Sequence, residues 1–238
     1  MHGNASSIAL GDLAPEPSGT PTRLEVAVTV PVGTAPTSAD GNHVVFFRYE
    51  PGATPAEDRF VQSFAAPAQQ ALLAGSEPRQ VAVADFDADG RQDLLVACGG
   101  DDTLRLFRNT VVPGGAAYEV DVGAFVEGLS SPYALDPGAP TLLSLSDVNG
   151  DGNLDAVVFV EQQLLSGARS SSIATYLSSG AGSFEAARFA SRTRSGDFDA
   201  TLTGALGDWN RDGVPDLLLG WDVSEQAVNL RVLFGGTR

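Results

Sequence analysis

The sequence predicts an all-β fold: a partial β-propeller of about four blades, each built from up to four antiparallel strands. Three observations predict it. Helix signals are nearly absent, and the apolar runs are short, alternating and separated by Gly, Pro, Asp and Ser. The runs recur with a period near 60 residues, long enough for a four-stranded unit. Three acidic nine-residue loops mark that period, starting at Asp85, Asp147 and Asp208, with 62 and 61 residues between successive starts.

The units fall at approximately 7–78, 79–140, 141–200 and 201–238 of a single domain, 1–238. Ser7-Ile8-Ala9-Leu10-Gly11-Asp12 opens the first, because it matches Thr203-Gly204-Ala205-Leu206-Gly207-Asp208 of the fourth. Its further strands are expected at Arg23–Val30, His43–Tyr49 and Arg59–Ala65, where β-branched and aromatic residues alternate with polar ones. The second unit offers Gln80–Phe86, Asp93–Cys98, Thr103–Asn109 and Tyr118–Phe125. The third offers Thr141–Ser146, Asp155–Glu161, Ser171–Leu177 and Phe184–Ala190. The fourth begins at Thr201 and continues through Asp216–Trp221 and Val228–Phe234, an incomplete blade without an outer strand. The first and last blades are therefore each expected to leave one apolar side face uncovered, which favours self-association or further blades from elsewhere.

The loops have the spacing of a calcium site. Loop positions 1, 3, 5, 7 and 9 are Asp85, Asp87, Asp89, Arg91 and Asp93 in the first. They are Asp147, Asn149, Asp151, Asn153 and Asp155 in the second, and Asp208, Asn210, Asp212, Val214 and Asp216 in the third. Ca²⁺ takes six to eight oxygens at about 2.3–2.6 Å, and short Asp and Asn side chains in a tight turn supply them at little entropic cost. Position 6 is Gly90, Gly152 or Gly213, where a reversal with positive φ is expected. Position 7 varies because only its carbonyl is expected to point inward, so Arg91, Asn153 and Val214 are read as backbone ligands. These are not EF-hands: residue 12 of the first loop is Val96, and each loop runs straight into an apolar strand. One such loop alone reads as an ordinary turn; three at one phase of one period do not. In the first unit Asp12-Leu13-Ala14-Pro15-Glu16-Pro17 lacks the pattern, so Asp12 is read as a turn residue without metal.

Composition fits this reading and excludes others. The 238 residues are 43% hydrophobic, enough for a substantial core, and carry a net charge of −16. The three loops hold ten of the 30 acidic residues, so part of the acidity belongs to the expected metal sites. No basic stripe exists to bind nucleic acid, and no apolar run reaches the ~18 residues of a membrane span. Cys98 is the only cysteine and sits in a strand pattern, where it is read as a small core filler. His2 and His43 lie outside the loops, and no nucleophile motif is present, so no catalytic residue is assigned. The opening residues lack the basic-then-apolar pattern of a secretory signal, and one is expected upstream of this sequence.

Val-Ala-Val-Ala-Asp-Phe-Asp-Ala-Asp-Gly-Arg-Gln-Asp-Leu-Leu-Val, followed by Thr-Leu-Arg-Leu-Phe-Arg-Asn, resembles the FG-GAP/VCBS repeat. That repeat builds the calcium-binding propeller of integrin α-subunit heads and of many bacterial surface proteins. The resemblance covers most of residues 7–238 and is most specific at the three loops. It implies four-stranded blades with the calcium loop between the first and second strands, and puts the metal ligands on the positions named above. The Gly-Ala-Pro element of the integrin version does not follow any of the loops. The family's propellers have about six to eight blades, more than this sequence encodes.

What the resemblance implies for function is an extracellular or cell-surface adhesion module that binds calcium and a protein or glycan, without catalysis. The alternatives are a propeller accessory to a secreted polysaccharide lyase or other hydrolase, and a structural spacer in a larger surface protein. The partner is expected on the face opposite the calcium loops, on the variable segments Pro31–Asn42, Val126–Pro140, Glu161–Ser170 and Ser191–Ala200. Tyr133, Arg192, Arg194, Asp197, Phe198 and Asp199 are the candidate contacts there.

Overall fold

A computed structural model describes residues 6–14, 24–31, 42–54, 57–63, 71–111, 119–163, 169–185, 188–194, 202–224 and 227–234. The fold is all-β. The strands are β1 (Ser7–Gly11), β2 (Glu25–Val30), β3 (His43–Glu50), β4 (Arg59–Gln62) and β5 (Leu72–Leu73); then β6 (Pro78–Ala84), β7 (Asp93–Cys98), β8 (Thr103–Asn109), β9 (Phe125–Glu127) and β10 (Tyr133–Ala134). They continue as β11 (Ala139–Ser146), β12 (Asp155–Gln163), β13 (Arg169–Tyr176) and β14 (Arg188–Arg194), and end with β15 (Leu202–Gly207), β16 (Asp216–Ser224) and β17 (Ala227–Leu233).

These strands form four antiparallel sheets in chain order. The third is a four-stranded meander, β11-β12-β13-β14, and the fourth holds β15-β16-β17. In the first two sheets the outer position is split. β4 pairs with one end of β3 and β5 with the other; β9 and β10 divide β8 in the same way. The sheets are the blades of a partial propeller. Among the described residues, no helix is long and apolar enough to cross a membrane.

Three outer strands differ from the sequence reading. In the second unit the expected strand Tyr118–Phe125 starts outside the described residues, and residues 119–124 are not a strand. Asp121 accepts from the Gly123 N–H at 3.0 Å and starts a 3₁₀ turn, Val122–Ala124, so pairing resumes only at Phe125. In the third unit the fourth strand is Arg188–Arg194 rather than Phe184–Ala190. Phe184 is drawn inward instead, 5.4 Å from the Phe86 ring and 5.5 Å from Tyr133. In the first unit the strand from Arg59 ends at Gln62, and its expected end at Ala65 lies outside the described residues.

The core lies between sheets, and the second and third sheets bury both faces against their neighbours. Leu94, Val96 and Phe107 join Val44 and Phe46 between the first and second sheets. Leu95, Ala97, Leu104 and Leu106 join Val158, Val160 and Tyr176 between the second and third. Val157, Phe159 and Ile173 meet Leu219 between the third and fourth. This explains why β7 is buried along its whole length, an uninterrupted apolar run rather than an alternating one. It also settles Cys98: buried among these residues, its thiol donates to the Ala74 carbonyl at 2.8 Å, and burial pushes its pKa up to about 12.

Candidate metal centre

Each acidic loop joins the first strand of a sheet to the second, so all three stand at the same end of their sheets. Their internal bonding is nearly identical. The position 1 carboxylate accepts the N–H groups of positions 5 and 6. Asp85 takes Asp89 at 3.2 Å and Gly90 at 2.9 Å; Asp147 takes Asp151 at 3.1 Å and Gly152 at 2.8 Å; Asp208 takes Asp212 at 3.0 Å and Gly213 at 2.9 Å. The position 5 carboxylate accepts the N–H of position 7: Asp89 from Arg91 at 2.9 Å, Asp151 from Asn153 at 2.8 Å and Asp212 from Val214 at 2.8 Å. These bonds curl the backbone, and in the first loop the side-chain oxygens of positions 1, 3 and 5 converge.

Two positions per loop are left-handed. Position 6 has φ of 84° at Gly90, 89° at Gly152 and 84° at Gly213. Position 4 is left-handed too: 57° at Ala88, 77° at Gly150 and 62° at Arg211. Only Gly150 signals this in the sequence. A non-glycine residue there costs about 1–2 kcal/mol. Part of that is returned when glycine loosens the unfolded chain. Ala88→Gly is therefore expected to stabilise the chain by up to about 1 kcal/mol, raising Tm by about 2–4 °C in a thermal melt. Gly90→Ala is expected to do the reverse; a Cβ there meets no atom within 4 Å, so the cost is conformational alone.

Position 9 plays a part that its spacing does not reveal. Asp93, Asp155 and Asp216 are wholly buried. Asp93 accepts from the Phe86 N–H at 3.0 Å and, with its other oxygen, from Asn109 at 2.8 Å. Asp155 does the same with Val148 at 2.9 Å and Ser178 at 2.7 Å. Each of these two carboxylates ties its loop to the end of the third strand. Asp216 accepts from Trp209 at 2.8 Å. In the first sheet Glu25 holds the equivalent place, paired with Gly11 as Asp93 is with Ala84. It is buried and accepts from Leu13 at 2.9 Å and Ala14 at 3.2 Å. The first sheet keeps the latch without the acidic loop, and sequence reasoning missed Glu25.

The first loop gathers the densest set of carboxylates. Ligand atoms of Asp85, Asp87 and Asp89 lie within 4.8 Å of one another. Asp87 Oδ1 is buried without a hydrogen-bond partner, which is costly for a carboxylate. Burial pushes the Asp87 pKa up, and the neighbouring Asp89 and Asp85 add to the shift. A divalent cation with oxygen ligands fits this donor set. In the other loops Asn149 and Asn210 replace Asp at position 3, and their amides donate to Asp151 at 2.9 Å and Asp212 at 2.8 Å. At position 7 the Arg91 side chain has partners of its own. Its guanidinium pairs with Asp89 and donates to the Asn109 carbonyl at 2.6 Å, so one carboxylate is partly neutralised without metal. Arg108 stands 3.6 Å from Asp87.

Burial also pushes Asp155 up and pushes Asp93 up to about 6, from 3.8, against the lowering effect of their N–H bonds. The folded, metal-free chain thus holds a proton on Asp93 that the unfolded chain releases between pH 3.8 and about 6. Its contribution to stability is present at low pH and lost as pH rises through about 6. Cation binding favours the opposite, ionised form. The rise in Tm on adding Ca²⁺ is therefore expected to be larger at about pH 7 than at about pH 5, read by melts with and without the ion.

Tyr133 is interior: its hydroxyl accepts from the Phe184 N–H at 2.9 Å, and its ring meets Tyr176 and Phe184. It is not an exposed contact. Arg192 and Arg194 lie in β14, while Asp197, Phe198 and Asp199 lie outside the described residues.

A family profile described as an FG-GAP-like repeat matches residues 85–158 and again residues 147–219. Each match starts at the first Asp of one loop and ends in the strand after the next loop, so the matched unit runs from loop to loop. No curated protein matches the chain.

Proposed function

The chain belongs to the FG-GAP-like repeat family, and from that premise we propose that it is a calcium-binding module that holds a protein or glycan partner without catalysis. The observation that carries the metal reading is the buried, unpartnered Asp87 Oδ1 between Asp85 and Asp89. Asp85, Asp87 and Asp89 would hold Ca²⁺ in the first loop, with the Arg91 carbonyl and Asp93 completing the set. Asp147, Asn149, Asp151, Asn153 and Asp155 would serve the second loop, and Asp208, Asn210, Asp212, Val214 and Asp216 the third. The ion supplies charge neutralisation and cross-linking of the loop, not reaction chemistry.

Loops already shaped by their own hydrogen bonds suit modest affinity, with Kd of roughly 10⁻⁴–10⁻³ M, as in extracellular modules. Such sites fill where calcium is near 1 mM, outside the cell. The partner would then bind the end of the blades away from the calcium loops, where the connections vary most. A glycan array and a pull-down, each run with Ca²⁺ and with chelator, test this. Calcium-dependent capture of a defined ligand supports the reading. Turnover in a polysaccharide activity screen, abolished by no loop variant, would replace it with an enzyme.

A further inference from the structure

We propose that the two open ends of this arc of blades bind each other across two copies of the chain, so that the fourth sheet of one copy docks on the first sheet of the other and the pair closes an eight-bladed ring.

The argument rests on the interface that the chain repeats internally. On each first strand, alternate residues face the preceding and the following sheet. Val81 and Val83 of β6 pack into the cluster shared with the first sheet. Leu143 and Leu145 of β11 pack into the cluster shared with the second, and Leu206 of β15 into that shared with the third. Counting back from the last residue before each loop, the same positions in β1 are Ile8 and Leu10. Among the described residues no preceding sheet covers them, and they are 65% and 62% exposed. With Val26, Phe47 and Phe60 they line an open, wholly apolar groove of about 420 Å³.

The other end presents the complementary half. Leu95 and Ala97 of β7, with their cross-strand partners Leu106 and Leu104, face the third sheet. The equivalent set in the fourth sheet is Leu218 and Gly220, with partners Val232 and Leu230. Leu230 is 71% exposed. Side-chain sizes match as well. At the junction of the third and fourth sheets, Phe159 lies over Gly204, where a Cβ would come within 2.7 Å of its ring. Gly204 is the counterpart of Ile8, and Phe159 that of Gly220. Docking the two open ends sets Ile8 against Gly220: a large residue against glycine, with the roles exchanged.

A head-to-tail interface of this kind gives a closed ring when its rotation completes a turn and open fibres otherwise. The four sheets of the described residues make eight for two copies of this chain, within the four to eight blades over which propellers close. The inference does not rest on the metal.

Light scattering on the full chain tests it. The expected mass is twice that of one chain. Leu10→Asp and Leu230→Asp are each expected to halve it, while circular dichroism keeps the β spectrum. An equimolar mixture of the two variants is expected to restore the doubled mass, because each retains one intact face; this also shows that both variants fold. Oxidation of a chain carrying Ile8→Cys and Gly220→Cys is expected to give a covalent dimer. A monodisperse monomer at high concentration, an internal Cys–Cys bond within one chain, or a ladder of open polymers would each overturn the proposal.

Discussion

Asp155→Ala is expected to destabilise the chain by about 2–5 kcal/mol, with calcium present or absent. The substitution leaves the N–H groups of Val148 and Ser178, bound at 2.9 and 2.7 Å, without an acceptor in a buried setting. Each orphaned buried donor costs about 1–3 kcal/mol, against a total stability of about 5–15 kcal/mol for a domain. Asp93→Ala is expected to behave alike through Phe86 and Asn109. Glu25→Ala separates the latch from the metal, because Glu25 holds the loop N–H groups of Leu13 and Ala14 in a sheet whose loop lacks the acidic pattern. Urea unfolding measures all three. Loss of midpoint in Glu25→Ala, unchanged by calcium, supports a structural carboxylate. A wild-type midpoint in that variant would show that position 9 matters only as a ligand.

Removing calcium is expected to lower stability by up to about 4 kcal/mol. At about 1 mM Ca²⁺ and a Kd near 0.1 mM, each of three independent sites adds about 1.4 kcal/mol by mass action. For a chain of this size that corresponds to a Tm shift of about 10 °C, read by melting in calcium and in chelator. The sheets should persist below the transition, since each loop keeps its own hydrogen bonds without the ion. Mg²⁺ should stabilise less, because it holds its waters and demands a tight octahedron.

Much of this was legible in the sequence because repetition multiplies weak signals. The three acidic loops, the long buried run Leu94–Cys98 and the position of each first, second and third strand followed from spacing and alternation. The outer strands did not, because local chemistry decides them. The Asp121 cap converts part of one strand into a turn, and the aromatic contacts of Phe184 delay another. Glu25 was hidden by loop length: it follows Asp12 by thirteen positions, where Asp93 follows Asp85 by eight. Ala88 and Arg211 carry no composition signal for a left-handed backbone, and Tyr133 looks like a loop aromatic until the neighbouring sheet buries it. Convergence of carboxylates is legible from spacing; the unpaired Asp87 oxygen and the Arg91–Asp89 pair depend on how neighbouring strands pack around the loop.

Isothermal titration of the chelator-treated chain with Ca²⁺ tests the central claim most directly. The predicted result is saturable binding of three ions per chain, falling to two in Asp87→Ala, the variant that removes the unpartnered oxygen of the first loop. No saturable heat in the wild type, or a stoichiometry that Asp87→Ala leaves unchanged, would contradict it.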